Sequence, residues 1–416
     1  MSSDSSRGGK RLLAVIGPGL LVAATGVGAG DLATAAFTGS QLGVAVLWAV
    51  LLGAGLKWVL NEGLARWQLA TGETLMEGAL GRLGTWVGWV FLPYLLLWSF
   101  FVGSALMSAC GVTLHAMFPV FEDATRAKIV FGVLSSLVGL GLVKAGGFKL
   151  FEKVMGVCIG VMFIVVVVTA VLLAPGFPEI LRGLFVPGIP DADGSGVTWT
   201  VALIGGVGGT LTVLCYGYWI REAGRSGGED LTLCRLDLGL AYAMTAIFGV
   251  SMVIIGSATS IEGRGAGLLV ALADSLSDTL GVVGRWAFLL GAAGAVFSSL
   301  LGVWQAVPYL FADLWRLLRS ATGEETPDFT RTRPYRLFQL GLAIVPMAGL
   351  LMSFKEVQKL YAVIGALFIP ALALALLVLN GRRAWVGVRF TNGWATSLAL
   401  AGALVFFTTL GIVKLL

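Results

Sequence analysis

Residues 17–43 read GPGLLVAATGVGAGDLATAAFTGSQLG, an apolar segment interrupted halfway by Gly26-Val27-Gly28-Ala29-Gly30-Asp31. Glycine costs about 1 kcal/mol per residue in a helix interior, so the cluster predicts local unwinding at that point. A second cluster, Gly205-Gly206-Val207-Gly208-Gly209-Thr210, falls five apolar segments later. Corresponding breaks in two halves of a membrane chain point to an inverted repeat. Freed carbonyls and half-helix dipole ends would then lie near the midplane, where transporters hold substrate. The plainer reading is that glycines let helices pack closely. Asp31 favours the first reading, because a carboxylate beside an unwound stretch inside a spanning segment is costly to keep and marks a functional position.

The composition supports a membrane chain. Of the 416 residues, 57% are hydrophobic and 12% charged, about half the charged share of a soluble domain. Blocks such as Leu42 to Leu56, Val154 to Ala174 and Leu360 to Leu379 approach the ~20 residues a helix needs to cross the hydrocarbon. They are apolar all round rather than alternating, which argues against a β-barrel. Apolar blocks read against polar, Gly- or Pro-bearing breaks give an all-α membrane protein with eleven transmembrane helices. These lie near 12–37, 42–66, 84–112, 127–144, 150–174, 197–222, 232–260, 280–317, 333–352, 356–379 and 394–415.

Charge sets the expected orientation. With a cytoplasmic N-terminus, 19 of the 28 Lys and Arg residues fall on the inner tail and loops, 8 fall on the outer loops, and Lys57 lies within a helix. That is the positive-inside bias of a multi-pass protein of the cell (inner) membrane, and it puts the C-terminus on the extracytoplasmic side. No linker separates two folded units. Residues 1–11 read as a cytosolic tail and 12–416 as a single transmembrane domain, with repeats over 12–174 and 197–379 and an extra helix over 394–415.

The basic balance is accounted for by sidedness, so membrane lipids rather than nucleic acid are the expected partners, and a monomer is the expected unit. Four cysteines without C-x-x-C spacing and the single His115 suggest neither a disulfide framework nor a zinc site. No nucleophile–base pair appears, so the chain is not read as an enzyme and no cofactor is expected.

Further candidates cluster in the second and sixth segments. Lys57, Asn61 and Glu62 lie within the second, with Lys57 and Asn61 spaced i, i+4 on one face. A buried Lys57 would replace a coupling ion or pair with Asp31. Alternatively, Lys57 snorkels towards the cytosolic end and Glu62 meets a neighbouring helix. Arg221 and Glu222, at the inner end of the sixth segment, read as a cytosolic gate or as ordinary interfacial anchors. Asp237 either lines an inner vestibule or pairs with Arg235.

The opening stretch is followed by Val46-Leu47-Trp48 and by LARWQLATGETL at Leu64 to Leu75. Together these resemble the first two helices of the NRAMP (natural resistance-associated macrophage protein) divalent metal transporters, and Gly103-Ser104-Ala105-Leu106 adds a similar small-residue run. The resemblance implies the leucine-transporter (APC superfamily) fold: a 5+5 inverted repeat with helices 1 and 6 broken and alternating access between the breaks. The departures are equally specific. The family's Asp-Pro-Gly-Asn falls on Gly28-Ala29-Gly30-Asp31, so its metal-binding aspartate is a glycine here and its asparagine an aspartate. Its Met-Pro-His falls within Thr212 to Tyr216, which reads Thr-Val-Leu-Cys-Tyr. Its helix 10 glutamine falls on Phe368, and its helix 3 acids on Leu97 and Phe100.

Without a thioether ligand, selective transition-metal uptake loses its chemical basis. Asp31, as the one metal-binding carboxylate, joined by backbone oxygen at Gly28 and by Thr25, Thr212 or Tyr216, suits a hard cation that keeps several waters. The expected function is a secondary transporter or facilitator of Mg2+ or Mn2+, not coupled to protons by the family's usual route and similar to NRAMP-related magnesium transporters. Two alternatives stay open: a carrier of a small organic solute on the same fold, and a non-transporting membrane protein.

Overall fold

A computed structural model describes residues 29–145, 148–259, 265–319 and 328–415. Regular structure among the described residues is entirely helical. The first segment is described from a π-helical turn, Ala29–Thr34, that runs into α1 (Ala35–Leu42). There follow α2 (Leu47–Thr71), the short α3 (Leu75–Leu83), α4 (Trp86–Met117), α5 (Ala124–Ala145), α6 (Phe148–Leu173) and α7 (Phe177–Phe185). The second half of the chain supplies α8 (Gly196–Gly206), α9 (Cys215–Glu222), α10 (Asp230–Ser257), α11 (Leu268–Arg319), α12 (Arg333–Ile344), α13 (Phe354–Ala366), α14 (Phe368–Leu379) and α15 (Trp394–Leu415).

Local sequence explains where these helices start and stop. Gly72, in the left-handed conformation, closes α2. Thr74 and Glu77 form a reciprocal capping box that opens α3. Thr332 and Ser353 cap α12 and α13 by accepting backbone N–H bonds.

Among the described residues, eight helical stretches are long and apolar enough to cross a membrane, and the pair Ile159–Leu173 with Phe177–Phe185, bent by 115°, makes a ninth. Ten of the eleven expected segments are helical where the sequence places them, and the first is described only from Ala29. The differences have local causes. Gly43 at φ 65 and the 3-10 turn Gly43–Val46 move the start of α2 to Leu47, five residues later than the sequence reading. The helix before the eighth segment begins at Leu268 and is interrupted at Gly281, φ 68, one residue after the expected start of that span. Pro346 withholds a backbone donor from the α12 extension, which continues as the 3-10 turn Val345–Leu351.

Small residues let the helices approach at backbone distance. A Cβ on Gly39 would meet the Val253 carbonyl oxygen at 2.2 Å, and one on Gly256 would meet that of Ala36 at 2.3 Å. These two contacts lock α1 antiparallel against α10. Likewise a Cβ on Gly205 would lie 2.5 Å from Ala366 Cβ, so α8 sits directly on α13. Trp67, Trp98, Trp304 and Tyr216 fill the core, while Trp86, Trp89, Trp286 and Trp394 stand exposed near helix ends or kinks. This packing brings the break between α8 and α9 against the π-turn that carries Asp31.

Candidate substrate and ion site

Segment six is broken by its glycines. α8 ends at Gly206, Val207 is extended, Gly208 and Gly209 take φ of +74° and +82°, and a 3-10 turn, Leu211–Leu214, leads into α9. Side chains other than glycine's are strained in that conformation, and a Cβ on Gly208 would lie 2.8 Å from the Tyr242 ring. The second glycine cluster therefore serves both readings: Gly205 gives close packing, and Gly208 with Gly209 gives the break.

Asp31 and Lys57 meet this break from opposite sides of its hydrogen-bonding capacity. Asp31 is fully buried and its Oδ1 accepts the Gly208 N–H at 2.9 Å. Lys57, 1% exposed, donates from Nζ to the carbonyls of Gly205 at 3.0 Å and Val207 at 2.8 Å, and to that of Gly209. All three ammonium protons thus find acceptors among carbonyls that the break deprives of helical partners. The two opposite charges attract across the break, which offsets part of the large cost of burying either alone. Lys57 therefore does not snorkel; it is the eleventh of the 25 residues of α2 and points into the bundle.

A polar fringe surrounds the pair. Asn61 Nδ2 donates to the Lys57 carbonyl at 3.1 Å and to Tyr242 Oη at 2.6 Å. Asp31 Oδ2, Asn61 Oδ1 and Thr245 Oγ1 are buried and have no hydrogen-bond partner among the described residues. The Thr245 methyl lies against Gly208, and Thr212 Oγ1 lies beside Gly209. On the far side of the break, Trp98 Nε1 donates to Thr210 Oγ1 at 2.8 Å.

Other candidates are placed elsewhere. Tyr216 directs its hydroxyl to Asp237 Oδ2 at 3.4 Å, where Arg225 is also bound at 3.0 Å, so it belongs to that cluster and not with Asp31. Asp237 pairs with Arg225 rather than Arg235. Glu62 is held by Arg66 and Arg235, each at 2.8 Å, and ties α2 to α10. Leu97 is 49% exposed, while its neighbour Trp98 faces inward. Phe368 stacks on Tyr94. Thr25 and Gly28 lie outside the described residues.

At the arginine-rich end, Arg221 bonds Glu77 Oε2 at 2.7 Å and the Gly72 carbonyl at 3.0 Å, whereas Glu222 is exposed. Glu77 Oε1 takes Arg316 at 3.1 Å; Arg316 also binds Asp313 Oδ1 at 2.8 Å, and Asp313 Oδ2 accepts the Tyr218 hydroxyl at 2.7 Å. Burial would raise the Glu77 pKa, but the hydrogen bonds from Arg221 and the Thr74 N–H, with the nearby Arg316 charge, hold it below the ordinary carboxylate value. The network clamps α3, α9 and α11 together. Glu77 was detectable in the sequence as the fourth residue of a Thr-x-x-Glu capping box, and Asp313 as an acid in an apolar span.

No group of three or more His, Cys, Asp or Glu side chains able to hold a metal occurs among the described residues. Asp31 is the carboxylate that meets the break.

The family model described as "Natural resistance-associated macrophage protein-like" matches residues 19–416. The divalent metal cation transporter MntH of Aeromonas hydrophila is 24% identical, over 90% of this chain and 89% of its own. MntH of Acidiphilium cryptum is 24% identical over 96% and 89%. Among solved structures, a mutant of the manganese transporter of Eremococcus coleocola superposes with a TM-score of 0.71 at 17% identity, covering 97% of this chain and 86% of that one. MhsT in complex with L-phenylalanine superposes with a TM-score of 0.63 at 17% identity, covering 95% and 97%. The fold is thus the leucine-transporter arrangement that the family resemblance implies.

Proposed function

The chain belongs to the natural resistance-associated macrophage protein-like family, and from that premise we propose that it is a membrane transporter of divalent cations, with Mg2+ or Mn2+ as substrate. The observation that carries this reading is Asp31: fully buried at the break, with one oxygen holding Gly208 N–H and the other without a partner among the described residues. A hard cation that retains waters needs few protein oxygens, and Asp31 Oδ2 is one such oxygen, buried and open. The nearby Lys57 ammonium repels any divalent ion and weakens its binding, which suits an abundant cation such as Mg2+ better than a scarce one. Leu97 and Phe100 carry no proton, so transport proceeds without the family's helix 3 relay. The arginine-rich clamp of Glu77, Arg221 and Arg316 faces the cytoplasm in this reading, as the positive-inside rule requires.

One observation favours a second reading. Lys57 already satisfies the break's carbonyls, as a bound coupling ion would, which leaves the site open to a small organic solute bearing a carboxylate.

A titration of the purified protein against Mg2+, Mn2+, Ca2+ and a panel of amino acids, repeated with Asp31→Asn, separates the two. Saturable divalent binding that is lost in Asp31→Asn is expected. Saturable binding of an amino acid with no divalent response would replace the first reading by the second. Uptake into liposomes holding a pH dye tests the coupling: metal entry without internal acidification is expected, and proton movement in step with metal would refute uncoupled transport.

A further inference from the structure

We propose that the break between α8 and α9 is a monovalent-cation site which the chain fills with its own lysine. Lys57 Nζ lies where a bare cation would lie, bonded to the carbonyls of Gly205, Val207 and Gly209. Rings of backbone carbonyls replacing a hydration shell are how proteins bind alkali ions, and a buried carbonyl left without a partner is costly. Here the carbonyls come from both ends of one break, and the two positive-φ glycines turn them towards a common centre.

The charge count specifies the class of ion. Asp31 and Lys57 are a buried carboxylate and a buried ammonium that together leave the site neutral. Exchanging the ammonium for a free monovalent cation preserves that neutrality. Further oxygen is at hand to complete a coordination shell. Asp31 is anchored to the break through Gly208, and its Oδ2 is buried without a partner among the described residues, as are Asn61 Oδ1 and Thr245 Oγ1. The lysine stem supplies what a free ion does not, a covalent tether that makes occupancy independent of external salt.

Two consequences follow for the protein as it exists. The native chain does not depend on sodium or potassium, and removing the ammonium creates such a dependence. The inference rests on the proposed transport function only for its biological meaning. The binding claim is tested in the Lys57 variant with monovalent ions, whereas the divalent reading is tested on the unmodified chain, so either can fail alone.

The experiment uses the full-length chain in detergent, with thermal unfolding followed in LiCl, NaCl, KCl and choline chloride at constant ionic strength. The native protein and Lys57→Arg are expected to unfold alike in all four salts. Lys57→Ala is expected to gain saturable stabilisation by sodium or potassium over choline, with an apparent affinity at least about tenfold tighter than any response of the native chain. Methylammonium, which restores the missing group, is expected to do the same. If Lys57→Ala cannot be purified in choline, its yield in sodium, potassium or methylammonium answers the same question, and recovery by any of them supports the site. A folded Lys57→Ala whose stability is the same in all salts, a response to divalent ions alone, or a variant that no cation recovers would each overturn the proposal.

Discussion

Two polar clusters in this bundle treat their carboxylates differently. At the arginine-rich end, Glu77 and Asp313 use both oxygens: Glu77 accepts from Arg316 and Arg221, and Asp313 from Arg316 and Tyr218. At the break, Asp31 uses one oxygen, and Asp31 Oδ2 and Asn61 Oδ1 have no partner among the described residues. Complete satisfaction is what a clamp needs, since each unmade bond in a buried network lowers its worth. Unspent acceptors beside a buried charge pair are what a binding site needs, because a ligand can then be held without first breaking a protein contact. Lys57 sharpens the contrast: its donors are spent completely, while the carboxylate opposite keeps capacity in hand.

The largest effect is expected from breaking the charge pair. Asp31→Asn leaves Lys57 as an uncompensated buried cation, a change that costs about 3–5 kcal/mol when one partner of a buried pair is removed. Denaturation in detergent measures it. The combined Asp31→Asn, Lys57→Met variant removes both charges and is expected to recover most of that loss. Equal destabilisation by the single and combined changes would mean that the two side chains act independently, and the break would then resemble the clamp more closely than argued above.

How much of this was legible beforehand follows from how local each signal is. The break and Asp31 could be read because glycine's backbone freedom and the cost of a buried carboxylate act at the residue itself. The partner of Lys57 could not, because the carbonyls it holds lie about 150 residues away in sequence. A boundary compounded this: the second segment read as 42–66 puts Lys57 towards its inner end, whereas Gly43 and the 3-10 turn shift the helix to Leu47–Thr71 and bring Lys57 to its middle. The register of the motif offers Tyr216 as one of three alternative hydroxyls beside Asp31. The helical face on which it lies carries it to Asp237 instead. Arg221, read with Glu222 as a gate or as an interfacial anchor, reaches Glu77 on α3, a partner too distant in the chain for local sequence to show.

The clamp is expected to respond to acid, and the sign follows from the direction of the Glu77 shift. Its pKa in the folded chain lies below the ordinary value of 4.5, so the stability it contributes is present in full above that value and is lost as pH falls through the lower, folded one. Glu77→Gln is expected to cost about 1.5–3 kcal/mol at neutral pH, the range for hydrogen bonds to charged groups, and to flatten the part of the pH-stability curve below 4.5. Thermal unfolding from neutral pH down to acid tests both. An unchanged acid limb in Glu77→Gln would assign that titration to another carboxylate. Labelling of a cysteine placed at the Glu222 end of α9 is expected to quicken in the variant, because Arg221 and Arg316 lose their common charged acceptor.

Gly208→Ala is expected to cost somewhat less, on the order of 1–2 kcal/mol, since a residue with a side chain is strained at φ +74 and its methyl meets the Tyr242 ring. The smallest effect is expected on the far side of the break. Trp98→Phe removes the bond from Nε1 to Thr210 Oγ1 while keeping an aromatic ring in the same place, and a neutral hydrogen bond of this kind contributes about 1 kcal/mol. Neither Asp31 nor Lys57 bonds to Trp98. Cation selectivity should therefore match the native chain while stability falls slightly, measured by the same titration and the same unfolding curve. A loss of binding comparable to that of Asp31→Asn would show that Thr210 and the carbonyls of Gly205, Val207 and Gly209 act as one unit, and that the ion is gripped around the whole turn rather than on the Asp31 side alone.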